Sequence, residues 1–161
     1  MSKALPVIVV ETQERKLAKA MKKLGTVEVI VQRLTPVPAG DVMFMAGKCL
    51  WGVEMKSCDD LVSSFSVRTK GKPSRLDSQM KRMLEYYDRV VLMIRWGGGM
   101  WVEGDGTIVT GRPRRVYWDA LWNRISYWQV KGVMLEVVSD ISHAARRIVG
   151  MQRYWDEKGE A

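Results

Sequence analysis

Three side chains able to form a hydrolytic site, Asp41, Glu54 and Lys56, lie within the segment Gly40–Leu61. A two-residue turn at Gly47-Lys48 would fold this segment into a hairpin in which Asp41 faces Glu54. Lys56 would share the face of Glu54, because side chains alternate along a strand. Two carboxylates that oppose each other across a hairpin repel, and a bound Mg²⁺ would relieve that repulsion. The spacing therefore predicts a metal site beside a lysine that can orient or deprotonate water.

The residues around these three resemble the signature of a nuclease family. Gly40-Asp41, Val53–Ser57 (VEMKS) and Asp60-Leu61 are similar to the GD…VERKSxxDL pattern of XPF-type structure-specific endonucleases, in the PD-(D/E)xK nuclease superfamily. Ser74–Gln79 (SRLDSQ) resembles the GRLxxQ segment that follows in that family. The resemblance implies a restriction-endonuclease-like nuclease core, Mg²⁺ or Mn²⁺ as cofactor, and a catalytic role for the two opposed acids and the lysine.

Met55 stands where the family has an arginine between the glutamate and the lysine. Strand alternation places it with Trp51 and Val53 on the opposite face, so we expect a core position there. The resemblance also places Arg75 and Gln79 beside the cleft.

Asp60 has two interpretations. The resemblance puts it near the site, while the spacing from Ser57 is that of a helix N-cap, and we favour a cap that borders the site.

Two further acids, Glu11 and Glu14, could join Asp41 and Glu54 as metal ligands. The segment Val10–Glu14 (VETQE) resembles the VDxRE start of XPF-type domains and follows the first predicted strand. The alternative is structural, because acids near the start of a helix interact favourably with its macrodipole.

The charge balance points to a polyanionic partner. The chain of 161 residues has 26 Lys and Arg against 18 Asp and Glu, a formal net charge of +8. A folded basic domain suits nucleic acid or an anionic membrane surface, and a merely solvated basic surface is the alternative. Two basic segments are candidates for contact with DNA phosphates: Arg68, Lys70 and Lys72, then Arg112, Arg114 and Arg115.

Composition also argues against several classes of protein. Two cysteines, Cys49 and Cys58, form neither a disulfide framework nor a zinc site, and one histidine makes a Ser-His-Asp hydrolase improbable. The glycines Gly97–Gly99 lack the spacing of a nucleotide-binding loop, so we expect no nucleotide cofactor. The apolar run Ala4–Val10 is too short to span a membrane. We expect an intracellular protein, cytoplasmic or with DNA, without a signal peptide or membrane contact.

Hydrophobic periodicity predicts one α/β domain over residues 1–161, with a central mixed β-sheet flanked by helices on both faces. Predicted strands are Pro6–Val10, Val27–Leu34, the two hairpin strands, Arg89–Ile94 and Val133–Val138; predicted helices are Arg15–Leu24, one from Ser57, Leu76–Tyr87, Val116–Gln129 and Ile141–Tyr154. Residues 96–115 form a glycine-rich, basic insert with a short hairpin. The polar tail 156–161 is expected to fray.

The resemblance implies an endonuclease that nicks flap, fork or Holliday-junction DNA, with roles in DNA repair and recombination. A non-catalytic DNA-binding or scaffolding partner of a nuclease complex, and a nuclease for structured RNA, are the alternatives. We expect no helix-hairpin-helix module and no helicase portion. We also expect a homodimer through the C-terminal third, where large aromatic side chains are frequent: Trp118, Trp122, Trp128, Tyr154 and Trp155.

Overall fold

The computed structural model describes residues 4–66, 71–111 and 113–159. The strands are β1 (Val7–Glu11), β2 (Glu28–Gln32), β3 (Val42–Ala46), β4 (Cys49–Ser57), β5 (Arg89–Arg95), β6 (Trp101–Val102), β7 (Thr107–Val109), β8 (Pro113–Tyr117) and β9 (Val133–Val138). The helices are α1 (Arg15–Leu24), α2 (Cys58–Phe65), α3 (Arg75–Tyr86), α4 (Trp118–Val130) and α5 (Ile141–Lys158).

The main sheet has six strands in the order β2-β1-β3-β4-β5-β9. The pairs β1–β2, β4–β5 and β5–β9 are parallel, whereas β3 is antiparallel to both of its neighbours. The sheet is therefore mixed, as the sequence predicts. The predicted order of elements is also confirmed, except that a third short strand, β8, follows β6 and β7 before α4.

Helices cover both faces of the main sheet, and β5 shows why its sequence does not alternate. Val91 and Met93 face the core beneath α1 and α5, whereas Val90, Leu92 and Ile94 face the core beneath α2, α3 and α4. A strand buried on both faces reads as a continuous apolar run. The hairpin strand β4 is different, because only one of its faces is wholly apolar. This asymmetry leaves room for polar side chains on the other face.

Local signals at the end of α1 and at the starts of α2 and α5 agree with the predicted bounds. The helix α1 ends at Gly25, whose φ of 66° is the left-handed conformation that glycine adopts at no steric cost. Ser57 caps α2 by accepting a hydrogen bond from the backbone N–H of Asp60, and Asp140 caps α5 through the N–H of His143. These caps fix where α2 and α5 leave the carboxyl ends of β4 and β9.

The segment 101–117 corrects the sequence prediction, which began a helix at Val116. A third strand, β8, pairs with β7 and makes a small sheet in the order β6-β7-β8, and α4 begins only at Trp118. Val116 is buried with Met100 and Ile108 in the core under this sheet. Helical periodicity alone could not distinguish this β-branched residue at the end of a strand from the first turn of a helix.

The C-terminal helix is longer than predicted, because α5 continues through Lys158, past the Asp156 at which fraying was expected. Trp155 packs on Trp51 with ring centroids 5.8 Å apart, which holds the last turns against the main sheet. Trp128 is also buried, and its indole N–H donates to Asp77 at 2.8 Å. These two C-terminal tryptophans therefore serve the interior of a single chain.

Within the described ranges, no helix combines the length and apolar character required to cross a bilayer.

Candidate active site

The hairpin of β3 and β4 has the register that the sequence predicts. Ala46 pairs with Cys49 across the turn, and the register continues outward to the pair Val42–Val53. Gly47 has a φ of 61°, as the first central position of a type II′ turn requires. One step further, the backbone N–H of Asp41 donates to the carbonyl of Val53 at 2.8 Å. Asp41 is therefore held beside Val53 at the end of the hairpin that lies away from the turn, where the charge of Glu54 acts on it.

Two close contacts fix the position of Asp41. Gly40 has a φ of 87°, and a Cβ there would lie 2.9 Å from the Met83 side chain and 3.2 Å from the carbonyl of Val53. Glycine is therefore required immediately before the aspartate. The Asp41 carboxylate accepts a hydrogen bond from the backbone N–H of Met55 at 2.7 Å, which directs it across β4.

Glu54 and Lys56 lie on the same face of β4 and are almost completely buried, with 7% and 5% of their surface exposed. The Lys56 ammonium donates to Glu54 Oε1 at 3.3 Å. Met55 points the other way and is buried with Trp51 and Val53 beneath α1 and α5, as alternation predicts. The Met55 side chain is thus in the core, while its backbone N–H serves the site.

The buried Glu54 and the partly buried Asp41 are electrostatically costly neighbours without a cation. Burial, and next the charge of Glu54, raise the pKa of Asp41 to about 8, although the hydrogen bond from Met55 opposes the shift. Burial also raises the pKa of Glu54, and the ammonium of Lys56 opposes that rise. One of the two carboxyl groups therefore holds a proton near neutral pH, as expected for like charges in a poorly solvated site.

A cavity of about 310 Å³ opens over Asp41 and Glu54. Gln79 and Arg82 line its α3 side, and Glu11 lines the opposite side. Among the residues that the structure describes, the amide oxygen of Gln79 is buried without a hydrogen-bond partner. A neutral oxygen that lines this cavity can accept from water or contact a cation.

The floor of the site depends on a close approach of Tyr87 to Gly52. A Cβ on Gly52 would lie 2.3 Å from the Tyr87 ring, so no other residue fits there without displacing the ring. The Tyr87 hydroxyl donates to the carbonyl of Ala39 at 2.6 Å. This bond ties α3 and β4 to the segment that leads into Gly40 and Asp41. The sequence analysis did not single out either Gly52 or Tyr87.

Glu11 and Glu14 both lie at the carboxyl end of β1, but they make different contacts. Glu11 is buried, and its Oε2 accepts hydrogen bonds from the backbone N–H groups of Leu34 at 2.5 Å and Thr35 at 3.0 Å. One oxygen of Glu11 is therefore used to hold the connector between β2 and β3. Glu14 makes no side-chain cap at α1. Its pKa is raised by burial, with Arg95 opposing the rise and Asp60 and Glu11 adding to it.

The donor set suits a hard cation with few protein ligands. Over residues 4–66, 71–111 and 113–159, no three Asp, Glu, His or Cys side chains converge closely enough to enclose a metal ion. Mg²⁺ is commonly held by one or two carboxylates, with water and substrate phosphate completing its shell. Asp41 and Glu54 provide two oxygen ligands whose mutual repulsion a cation would relieve. The residues present therefore fit a divalent cation.

The other predicted residues lie at different distances from this centre. Arg75 is close enough to Glu54 for its charge to lower the pKa of that acid, and Asp60 is an exposed residue in the first turn of α2. Lys72 is exposed, as is Arg115. Arg114 instead forms an ion pair with Asp59 and ties the small sheet to α2. Arg68, Lys70 and Arg112 lie outside the described residues.

Sequence reasoning missed two arginines near the site. Arg82 lines the cavity three residues after Gln79, so extending the periodicity of Arg75 and Gln79 along α3 would have found it. Arg95 ends β5 and acts on the charge of Glu14. The sequence gives no local signal for Arg95, because its proximity to Glu14 depends on the packing of α1 against the sheet.

Comparison with known proteins adds a family and a fold. The sequence model of the ERCC4 domain matches residues 10–146. The solved structure of XPF from Aeropyrum pernix is similar at a TM-score of 0.68 and 22% identity, over 92% of this chain and 64% of that one. XPF from Aeropyrum pernix in complex with DNA is similar at a TM-score of 0.67 and 22% identity, over 95% and 66%. The chain thus spans about two thirds of the length of these relatives. Comparison with curated protein sequences finds no match.

Proposed function

Because the chain belongs to the ERCC4 domain family, we propose that it is a divalent-metal-dependent endonuclease that cleaves phosphodiester bonds in branched DNA. The observation that carries the proposal is that Asp41 and Glu54 line one cavity and that the charge of Glu54 acts on Asp41, with the ammonium of Lys56 at 3.3 Å from Glu54. Buried acids that repel each other weaken a fold, so their presence favours a role in binding a cation.

In this proposal, Asp41 and Glu54 hold Mg²⁺ or Mn²⁺, and Glu14 and Glu11 add negative charge around it. A cation held there would supply positive charge beside the scissile phosphate. Glu54 holds the Lys56 ammonium in place before substrate arrives. The backbone N–H of Met55 does the same for the Asp41 carboxylate. Preorganised charges of this kind act on the developing negative charge of the transition state without further reorganisation.

Lys56 is proposed to act directly on the reacting groups. Its ammonium is buried on the face of β4 that carries Glu54, where it can donate a hydrogen bond to the attacking water or to a phosphate oxygen. Gln79 and Arg82 line the same cavity. Arg82 is suited to a non-bridging phosphate oxygen, because a guanidinium matches the geometry of phosphate.

The DNA backbone would be held by the two basic segments around Lys72 and Arg115. The net charge of +8 supports binding to a polyanion. XPF from Aeropyrum pernix has been solved in complex with DNA, which supports DNA rather than RNA as the substrate here. Flap, fork and four-way junction DNA are the substrates to be compared.

The proposal includes a homodimer formed through the C-terminal third. Since Trp128 and Trp155 pack inside one chain, the contact would use the apolar residues that remain exposed there: Tyr117, Tyr127, Val130, Val137 and Tyr154. The strand β9 also lies at the edge of the main sheet. Light scattering at micromolar concentration tests this contact. A monomer mass that persists at high concentration, with and without junction DNA, would exclude it.

A cleavage assay tests the proposed activity. Labelled flap, fork and four-way junction DNA are incubated with the protein in Mg²⁺, in Mn²⁺ and in EDTA. We expect cleavage with either metal and none in EDTA, and we expect Asp41→Asn and Glu54→Gln to abolish cleavage while the protein remains folded. Near-normal cleavage by either variant would refute the site. Binding without cleavage by the wild type would favour a scaffolding role, and cleavage of structured RNA alone would reassign the substrate.

A further inference from the structure

The segment Trp96–Trp101 (WGGGMW) has no role in the chemistry above, yet it borders a second cavity of about 540 Å³. This volume is within the usual range for small-molecule sites in proteins. The cavity lies between the small sheet and the carboxyl ends of β4, β5 and β9, where Ser57, Arg95 and Ser139 line it. It therefore opens at the edge of the main sheet from which α2 and α5 begin.

The cavity begins one residue along β4 from the candidate active site. Ser57 directly follows Lys56 on β4 and pairs with Arg95 on β5. One residue of strand advances about 3.3 Å, so the cavity begins within one nucleotide's length of the lysine. Arg95 also connects the two regions electrostatically, because its charge acts on Glu14. A strand bound at the acids can thus place a neighbouring nucleotide in the cavity.

The segment Trp96–Trp101 is held by backbone hydrogen bonds, and part of its backbone is not covered by side chains. The backbone N–H of Trp96 donates to Val138 at 2.7 Å, and that of Gly97 donates to Ser139 at 3.1 Å. The Trp96 indole packs against Gly99, where a Cβ would lie 2.8 Å from Nε1. A Cβ at Gly98 would meet nothing within 4 Å. The wall at Gly98 is therefore open backbone that a flat ring can approach.

The walls favour a neutral aromatic ring over a phosphate. Trp101 lines the cavity and remains 46% exposed, although the preceding Met100 is buried. Asp59 and Asp140 also line the cavity, and their charges disfavour an anion. Among the described residues, the buried Nε of Arg95 has no hydrogen-bond partner, so it can donate to a base edge. Bases stack on exposed tryptophan rings in single-strand-binding proteins.

We propose that this cavity takes one unpaired nucleobase of the DNA strand bound at Asp41, Glu54 and Lys56, stacked on Trp101 against the open backbone of Gly98. The inference rests on the proposed endonuclease function and names the structural feature of the substrate that is recognised. A paired base cannot enter such a cavity without leaving the duplex. DNA with an unpaired arm at the cleavage point is thereby selected over continuous duplex.

Two variants test the cavity, and each has a matched control. Gly98→Leu fills the cavity without backbone strain, because Gly98 lacks a positive φ and has open space at its Cβ position. Its control is Gly104→Leu, the same change in the turn between β6 and β7. Gly104 is equally open and does not line the cavity. Trp101→Ala removes the stacking ring; Val102→Ala truncates the next side chain of the same strand, which is 49% exposed and does not line the cavity. All four variants should retain the wild-type Tm.

Affinity is measured by fluorescence anisotropy in EDTA, which prevents cleavage, on a fork with an unpaired arm and on a blunt duplex of equal length. We expect Gly98→Leu and Trp101→Ala to weaken fork binding about 5-fold or more, which is the smallest loss of affinity expected when one stacked base loses its contact. Duplex binding should remain unchanged. The control variants should match the wild type on both DNAs. A 2-aminopurine placed at successive positions of the arm should be quenched by the wild type at one position and recover with Trp101→Ala.

The outcomes separate this inference from the proposed function. If the wild type binds and cleaves forks while Gly98→Leu and Trp101→Ala bind them as tightly as the wild type, the base cavity is refuted and the endonuclease stands. Equal losses on fork and duplex would identify a general backbone contact and would also refute the cavity. If the wild type binds neither DNA, both proposals fail.

Discussion

Asp41→Asn should stabilise the protein in the absence of metal, and the gain should increase with pH. The substitution preserves the shape of the side chain. In the wild type the N–H of Met55 donates to Asp41 Oδ2 at 2.7 Å, and the amide oxygen of the variant can still accept this hydrogen bond. It removes a carboxyl group that burial and the charge of Glu54 hold at a pKa of about 8, against an ordinary value of 3.8. What is lost is therefore an unfavourable ionisation and not a favourable contact.

The sign follows from proton linkage. Between pH 3.8 and about 8, the folded protein holds a proton on Asp41 that the unfolded chain has released, so stability falls as the pH rises. One proton gives a slope of about 1.4 kcal/mol per pH unit. From pH 5 to pH 8, Asp41 can therefore lower the free energy of unfolding by up to about 4 kcal/mol, and Asp41→Asn removes this loss.

Urea unfolding in EDTA at pH 5, 6, 7 and 8 measures the difference between the wild type and Asp41→Asn. Glu85→Gln is the control, because it makes the same acid-to-amide change at an exposed position on α3. Added Mg²⁺ should reverse the order of stability, since a ligand stabilises only the folded state that binds it. A difference between wild type and Asp41→Asn that is constant from pH 5 to pH 8 would refute the reasoning.

Three further outcomes are expected. Lys56→Ala should lower kcat and kcat/KM together while DNA affinity stays near that of the wild type, because the ammonium acts mainly in the transition state; a loss of affinity alone in a binding titration would make it a phosphate contact. Replacing Arg68, Lys70 and Lys72 together with alanine should flatten the slope of the logarithm of the DNA-binding constant against log salt by roughly two to three. Each phosphate contact contributes about 0.9 to that slope, so an unchanged slope would mean that this segment is only solvated surface. Gly52→Ala should lower the free energy of unfolding by about 1 to 3 kcal/mol, since the Tyr87 ring must move, and a wild-type urea midpoint would contradict that packing.

The sequence determined the hairpin and the identity of its polar face. A glycine turn of fixed length sets the register of two strands, so Val42 had to pair with Val53, and Asp41 had to lie near Glu54, once Gly47-Lys48 was identified as the turn. Alternation then assigned Met55 to the core and Lys56 to the face of β4 that carries Glu54. Start and stop signals such as Gly25 for α1 work in the same local way, which is why these bounds were predictable.

Contacts between distant segments were decided only by the tertiary structure. The use of Glu11 to hold the N–H groups of Leu34 and Thr35 could not be predicted, because it depends on where the connector after β2 passes. The approach of Tyr87 to Gly52 likewise joins residues 35 positions apart in the chain. The strand at Val116 formed because β7 offered it a partner, which outweighed its helical periodicity.

The chemistry of the site divides in the same way. Residue type and short-range geometry determined which side chains could bind a cation and where they lie along one hairpin. The raised pKa of Asp41 and the cavity beside Trp96–Trp101 depend on how much water the packed helices exclude and on which elements meet at the sheet edge. Solvent exclusion is a property of the whole packed chain, so only the tertiary structure could decide it.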